Sequence, residues 1–161
     1  MDGTILFVCS GNFCRSPMAE AILKDFLRQD GKECHYRIHS AGTWTRDGLS
    51  ASPLAIRAMQ ELGLDISAHR SRHLTSQDVA GADLIIVMTR DHKEALSAEF
   101  PEAREKLCLL SELADQRYDI ADPSGSGSLE LHKGCAREIK ELLTQGYSRI
   151  LSIAPCGDEE G

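Results

Sequence analysis

Reactive chemistry is concentrated in one stretch near the amino terminus, Cys9-Ser10-Gly11-Asn12-Phe13-Cys14-Arg15-Ser16-Pro17, directly after an apolar run at 5–8. A cysteine followed by an arginine is common by chance. A glycine between them and a Ser-Pro pair opening a helix make the combination rare. A loop from the carboxyl end of a strand to a helix N-terminus turns backbone N–H groups inward. The helix dipole adds about half a positive charge. That is a cradle for an anion. Arg15 can offer a planar guanidinium fork to two phosphate oxygens, and Gly11 lets the backbone turn and approach closely. The same field favours thiolate over thiol, which makes Cys9 a nucleophile at neutral pH, placed to take a phosphoryl group.

Such a loop needs elements to hold it. Four short apolar runs, at 5–8, 36–39, 84–88 and 107–110, are expected strands, and helical patterns separate them. Ser16 as N-cap and Pro17 open the first helix, with Met18, Ile22 and Phe26 at spacing four. Ser52 and Pro53 open the second, with Gly63 as its C-terminal stop. Thr89 opens a third that ends before Pro101, and Ser128 opens a fourth that runs to Gly146. A Thr75-x-x-Asp78 capping pattern adds a short extra helix. The segment 147–154 reads as a separate short element. Strands alternating with helices imply an α/β fold, a parallel sheet with helices on both faces.

The chain has 161 residues, enough for one domain, expected over 1–155, with an acidic tail at 156–161 expected to fray. Its 18 Lys and Arg against 25 Asp and Glu give a net charge of −7, so no overall field draws it to nucleic acid or anionic lipid. The apolar runs fall far short of a membrane span, and the start lacks the pattern of a signal peptide. The expectation is a cytoplasmic protein. Six cysteines are too few for a disulfide scaffold and lack zinc-ligand spacing, and His69 with His73 makes no metal set, so no metal or other cofactor is expected.

The segment Val8-Cys9-Ser-Gly-Asn12-Phe-Cys14-Arg15-Ser16-Pro17-Met-Ala19-Glu20 resembles the signature of low-molecular-weight protein-tyrosine phosphatases. Ser40-Ala41-Gly42-Thr43, the stretch His69-Arg70-Ser71-Arg72 and the pair Asp122-Pro123 follow in the family's order. The resemblance covers most of residues 5–145. It implies a four-stranded flavodoxin-like sheet, Cys9 as nucleophile, Arg15 as phosphate and transition-state ligand, and Asp122 as general acid. The loop from Ser10 through Gly11, Asn12, Phe13 and Cys14 to Arg15 would bind phosphate. Ser16, Ser40 and His69 would support it, together with Asn12. Asp119 is the next candidate acid, since Asp before Pro is also a common turn residue. An oxidant is expected to link Cys9 reversibly to Cys14, a bond that peptide mass spectrometry after mild peroxide would reveal.

The implied activity is hydrolysis of phosphotyrosine in proteins, with Phe13 and Trp44 as candidate walls for the ring. Core packing is the competing role for Trp44. Phosphorylated proteins and inorganic phosphate or other oxyanions are the expected partners of a monomeric enzyme. The small loop Ser124-Gly125-Ser126-Gly127 somewhat resembles that of bacterial protein-arginine phosphatases, which is the alternative, although Phe13 stands where those carry a Thr. Thiol-dependent arsenate reductases share the loop pattern too, but they need relay cysteines and a polar residue where Pro17 stands.

Overall fold

The computed structural model describes residues 3–154; the tail expected to fray lies outside the described residues. Strands β1 (Gly3–Cys9), β2 (Tyr36–Gly42), β3 (Leu84–Val87) and β4 (Leu107–Leu109) form one sheet in the order β2-β1-β3-β4. Every pairing is parallel. β1 is an inner strand covered on both faces, which accounts for its unbroken apolar run at 5–9. Its alternate residues serve two cores. Ile5, Phe7 and Cys9 pack on one face, and Leu6 and Val8 on the other. Cys9 therefore ends its strand on the first of these faces.

Helices α1 (Arg15–Gln29), α2 (Pro53–Gln60) and α5 (Leu129–Ile153) cover that face through Met18, Ile22, Leu23, Met59, Ile139 and Leu143. Helices α3 (Ser76–Gly81) and α4 (Arg90–Glu99) cover the other through Val79 and Leu96. The chain leaves β1 toward β2 on one side and returns to β3 on the other. The carboxyl end of β1 is thus the switch point of a doubly wound sheet, where such folds open a crevice for ligands.

The strands shift by up to three residues at their ends, and the start of α1 and the end of α5 also differ from expectation. α1 begins at Arg15 with Cys14 at its N-cap position and no side-chain cap, so Ser16 lies inside the first turn rather than before it. Its hydroxyl has another partner, described below. α5 does not stop at Gly146 but continues to Ile153, absorbing the separate element expected at 147–154. A Cβ on Gly146 would lie 2.7 Å from the Leu113 Cβ and 3.1 Å from the Leu113 carbonyl oxygen. Gly146 lets α5 press against the turn Ser111–Ala114, and this contact outweighs a helix-interior penalty of about 1 kcal/mol.

The expected capping box is present at α3. Asp78 N donates to Thr75 Oγ1 at 3.1 Å, and Thr75 N donates to Asp78 Oδ2 at 3.0 Å. Arg72 Nη2 donates to the other carboxylate oxygen at 2.6 Å. Burial works to raise the Asp78 pKa, but the Thr75 and Arg72 donors outweigh it and hold the carboxyl below its ordinary 3.8. A depressed folded-state pKa contributes stability that is complete above the unfolded value and is lost as pH falls through the folded one. Asp78→Asn is expected to cost about 1–2 kcal/mol at pH 7. Urea unfolding should show that deficit shrinking as the pH is taken from 7 to below 3.8. An equal deficit at both ends would show that the carboxylate charge contributes nothing.

Candidate active site

The loop after β1 curls between two strand ends. Thr43 N donates to the Cys9 carbonyl at 3.0 Å and Trp44 N to the Ser10 carbonyl at 2.9 Å, extending the β1–β2 pairing past the sheet. Gly42 permits this, because a Cβ there would lie 2.7 Å from the Ser10 oxygen. Along the curl, the backbone N–H groups of residues 10–15 donate to no protein acceptor among the described residues. Unpaired amides are rare in a folded protein unless they serve a ligand or solvent. The loop lines a small recess whose walls include Cys9, Arg15, Asp122 and Ser124. Cys9 is buried, 3% exposed.

A polar scaffold holds the curl. Asn12 takes the left-handed conformation, φ 60°, and is fully buried. Its side-chain Nδ2 donates to Ser16 Oγ at 2.8 Å and to Ser40 Oγ at 3.0 Å, while its Oδ1 accepts from Arg72 N at 3.0 Å. His69 Nε2 donates to the Asn12 carbonyl at 2.8 Å. The Asn12 side chain and carbonyl are thereby paired, which makes its left-handed backbone tolerable. The chain of donors has a direction. Ser16 Oγ accepts from Asn12 and lies 2.8 Å from Cys9 Sγ, and once that sulfur is ionised only Ser16 can donate between them. Ser16 therefore supports the loop from inside α1 instead of capping the helix.

Arg15 is 4% exposed and reaches across the recess. Its Nη1 donates to the Ile120 carbonyl at 2.8 Å, and its Nη2 lies 3.5 Å from Asp122 Oδ2. Ile120 N in turn donates to the Met88 carbonyl at 3.0 Å, so the arginine is braced by the segment that carries the aspartate. Asp122 Oδ1 accepts from Ser124 N at 2.9 Å, an Asx turn that leaves the carboxyl half exposed at the mouth. Asp119 faces elsewhere. Arg90 binds its Oδ1 through backbone N at 2.8 Å and Nε at 3.2 Å, and these donors hold its carboxyl below the usual range. Of the two candidate acids, only Asp122 lines the recess.

Cys14 shares the recess with Cys9 and lies 3.3 Å from Ser124 Oγ, with burial pushing its thiol pKa up. Burial pushes Cys108 and Cys135 up to about 12, which keeps both as thiols. Phe13 lays its ring over Gly11, where a Cβ would meet the ring at 2.5 Å. Trp44 is 87% exposed and borders a groove with Phe13, Arg46 and Leu49, so core packing is not its role. One contact escaped the sequence: His92, in the first turn of α4, places Nε2 2.8 Å from Ser10 Oγ. Its spacing to other histidines gave no signal, because its partner is 82 residues away.

The chain is similar to known proteins. The model of a family described as low molecular weight phosphotyrosine protein phosphatase matches residues 4–151. A protein-arginine-phosphatase of Bacillus subtilis is 37% identical over 142 residues, covering 88% of this chain and 92% of the relative. A probable low molecular weight protein-tyrosine-phosphatase, EpsP, of Ralstonia nicotianae is 40% identical over 123 residues, 76% of this chain and 79% of that one. A solved structure of the YwlE arginine phosphatase, a mutant with a phosphorylated active-site serine, superposes with a TM-score of 0.85 at 33% identity and covers 97% of each chain. This chain belongs to the low-molecular-weight protein-tyrosine phosphatase family.

Proposed function

We propose that the protein hydrolyses phosphotyrosine in proteins through a phosphocysteine on Cys9, with Asp122 as general acid and then general base. The thiolate attacks phosphorus in line, and the S–P bond forms as the bond to the phenolic oxygen breaks. The loop amides and the Arg15 guanidinium stabilise the three equatorial oxygens as charge shifts in the transition state. Asp122 gives its proton to the leaving oxygen. The resulting carboxylate then takes a proton from the water that attacks the phosphocysteine, releasing inorganic phosphate and restoring the thiolate. Asn12, Ser16, Ser40 and His69 keep the loop in shape through both steps.

The observation that carries this reading is the convergence on one recess of a buried sulfur, a buried guanidinium and a half-exposed carboxyl, beneath amides with no protein acceptor. The phosphorylated serine in the YwlE mutant supports a phosphoryl-carrying side chain in a relative of the same fold. Phe13 and the exposed Trp44 supply aromatic surface beside the recess, which favours a phenyl ring. The same reading takes phosphorylated proteins and free oxyanions as partners and a monomer as the working unit. It places the enzyme in the cytoplasm, where its free thiols stay reduced.

Hydrolysis of phosphoarginine is the second reading, favoured by the Bacillus subtilis relative and by the small, glycine-rich wall at Ser124. Phosphate release from matched phosphotyrosyl and phosphoarginyl peptides separates the two. We expect kcat/KM to favour phosphotyrosine by about tenfold or more, a difference of roughly 1.4 kcal/mol in transition-state binding. The reverse preference selects the arginine reading. No phosphate from either peptide removes both.

A further inference from the structure

The mechanism leaves the buried imidazole of His92, which touches the loop, without a role. We infer that His92 is a positioning residue for the phosphate-binding loop, fixing the Ser10 hydroxyl, and with it the first bend above Cys9, to the first turn of α4. This inference rests on the proposed function, since it assigns a part in the same site.

His92 is 8% exposed, its Nε2 lies 2.8 Å from Ser10 Oγ, and its Nδ1 is buried with no hydrogen-bond partner among the described residues. A proton on Nδ1 would be an orphaned buried donor. The tautomer with least unpaired polarity carries its proton on Nε2 and donates it to Ser10 Oγ. Burial, and then the Arg15 guanidinium, disfavour a second proton on the ring; Asp122, Asp91 and Asp119 act in the opposite sense. The balance keeps the imidazole neutral.

The base of this link is itself fixed. Thr89 Oγ1 accepts from His92 N at 3.1 Å and caps α4, and Arg90 in the same turn holds Asp119 at 2.8 Å, three residues before the proposed acid. One helical turn therefore ties down the segment bearing Asp122 and, through Ser10, the loop above Cys9. Ser10 precedes Gly11, whose backbone is free to leave the productive curl when its neighbour is released.

The test is a double-mutant cycle read by inorganic phosphate binding, which needs no turnover, together with hydrolysis of p-nitrophenyl phosphate. Calorimetry on the wild type, Ser10→Ala, His92→Ala and the double variant should show about tenfold weaker phosphate binding for each single change. The double variant should lose no more than the worse single one. His92→Gln, whose amide can donate from a similar position, should recover most of the loss, whereas a role in packing α4 alone would not be rescued this way. Losses that multiply in the double variant, or unchanged phosphate affinity in a folded His92→Ala, would overturn the inference. Should His92→Ala fail to fold, Ser10→Ala decides alone, because it leaves the imidazole packed: unchanged phosphate affinity there overturns the inference equally. A wild type that binds phosphate but hydrolyses nothing would sink the proposed function while the cycle still decides the role of His92. A wild type that binds no phosphate would overturn both.

Discussion

Cys9→Ser is expected to lower kcat on an aryl phosphate by a factor on the order of 10⁴ or more while phosphate binding and the thermal midpoint stay near those of the wild type. The reason lies in what the loop supplies and what it does not. Its amides, Arg15 and the Ser16 hydroxyl form an environment for an anion, and Cys9 sits 2.8 Å from the Ser16 oxygen at its base. A thiol is intrinsically far more acidic and, as its anion, far more nucleophilic than an alcohol can be in the same place. Serine keeps the shape and the contact with Ser16, so the cradle still holds phosphate. Turnover and affinity should therefore separate: kcat collapses, and competitive inhibition by inorganic phosphate persists. Phosphate release by the variant within about tenfold of the wild type would exclude Cys9 as the nucleophile. Loss of phosphate binding together with turnover would show instead that the substitution disturbs the loop.

The sequence made this loop legible because its information is local. A strand ending, a glycine, an arginine and a Ser-Pro pair lie within nine residues, and a closed curl at a helix N-terminus needs little beyond them. The four strands and the Thr75 capping box were legible for the same reason, since periodicity and caps act over a few residues. What required the fold was every choice settled by a distant partner. Gly146 has the chemistry of a helix stop, yet the close approach of Leu113 keeps it inside α5. Ser16 has the chemistry of an N-cap, but the Asn12 amide and the Cys9 sulfur engage its hydroxyl. The Asp-Pro pair favoured Asp122 over Asp119 only through the family resemblance; the physical reason needed the fold, where Arg90, on another element, turns Asp119 away from the recess. Trp44 was undecided between core and rim until its surroundings were known. His92 was invisible as a site residue because only the packing of α4 brings it to Ser10.

Asp122→Ala is expected to lower kcat by about 10²–10³-fold on a substrate with a poor leaving group, the usual range for removing a general acid. The loss should depend on the leaving group. A phenolic oxygen of ordinary basicity needs a proton as the P–O bond breaks, whereas p-nitrophenolate departs without one, so the first step suffers far less with p-nitrophenyl phosphate. The second step still lacks its base. Rapid-mixing experiments with the variant should then show a burst of p-nitrophenol, close to one equivalent per enzyme, as phosphocysteine accumulates ahead of slow hydrolysis. Stability should change little, because the carboxyl is half exposed and lies 3.5 Å from Arg15, a pair of small net worth in solvent. Arg15 also keeps its bond to the Ile120 carbonyl when the carboxyl is gone. Asp119→Ala is the control, for its carboxylate is already bound to Arg90 and does not line the recess. It should leave the dependence on leaving group intact and produce no burst, even if a loosened Ile120 segment lowers kcat somewhat. Equal rate losses for Asp122→Ala on phenyl and p-nitrophenyl phosphate would mean that this carboxyl orients Arg15 rather than delivering a proton, and the acid would have to be sought elsewhere at the mouth.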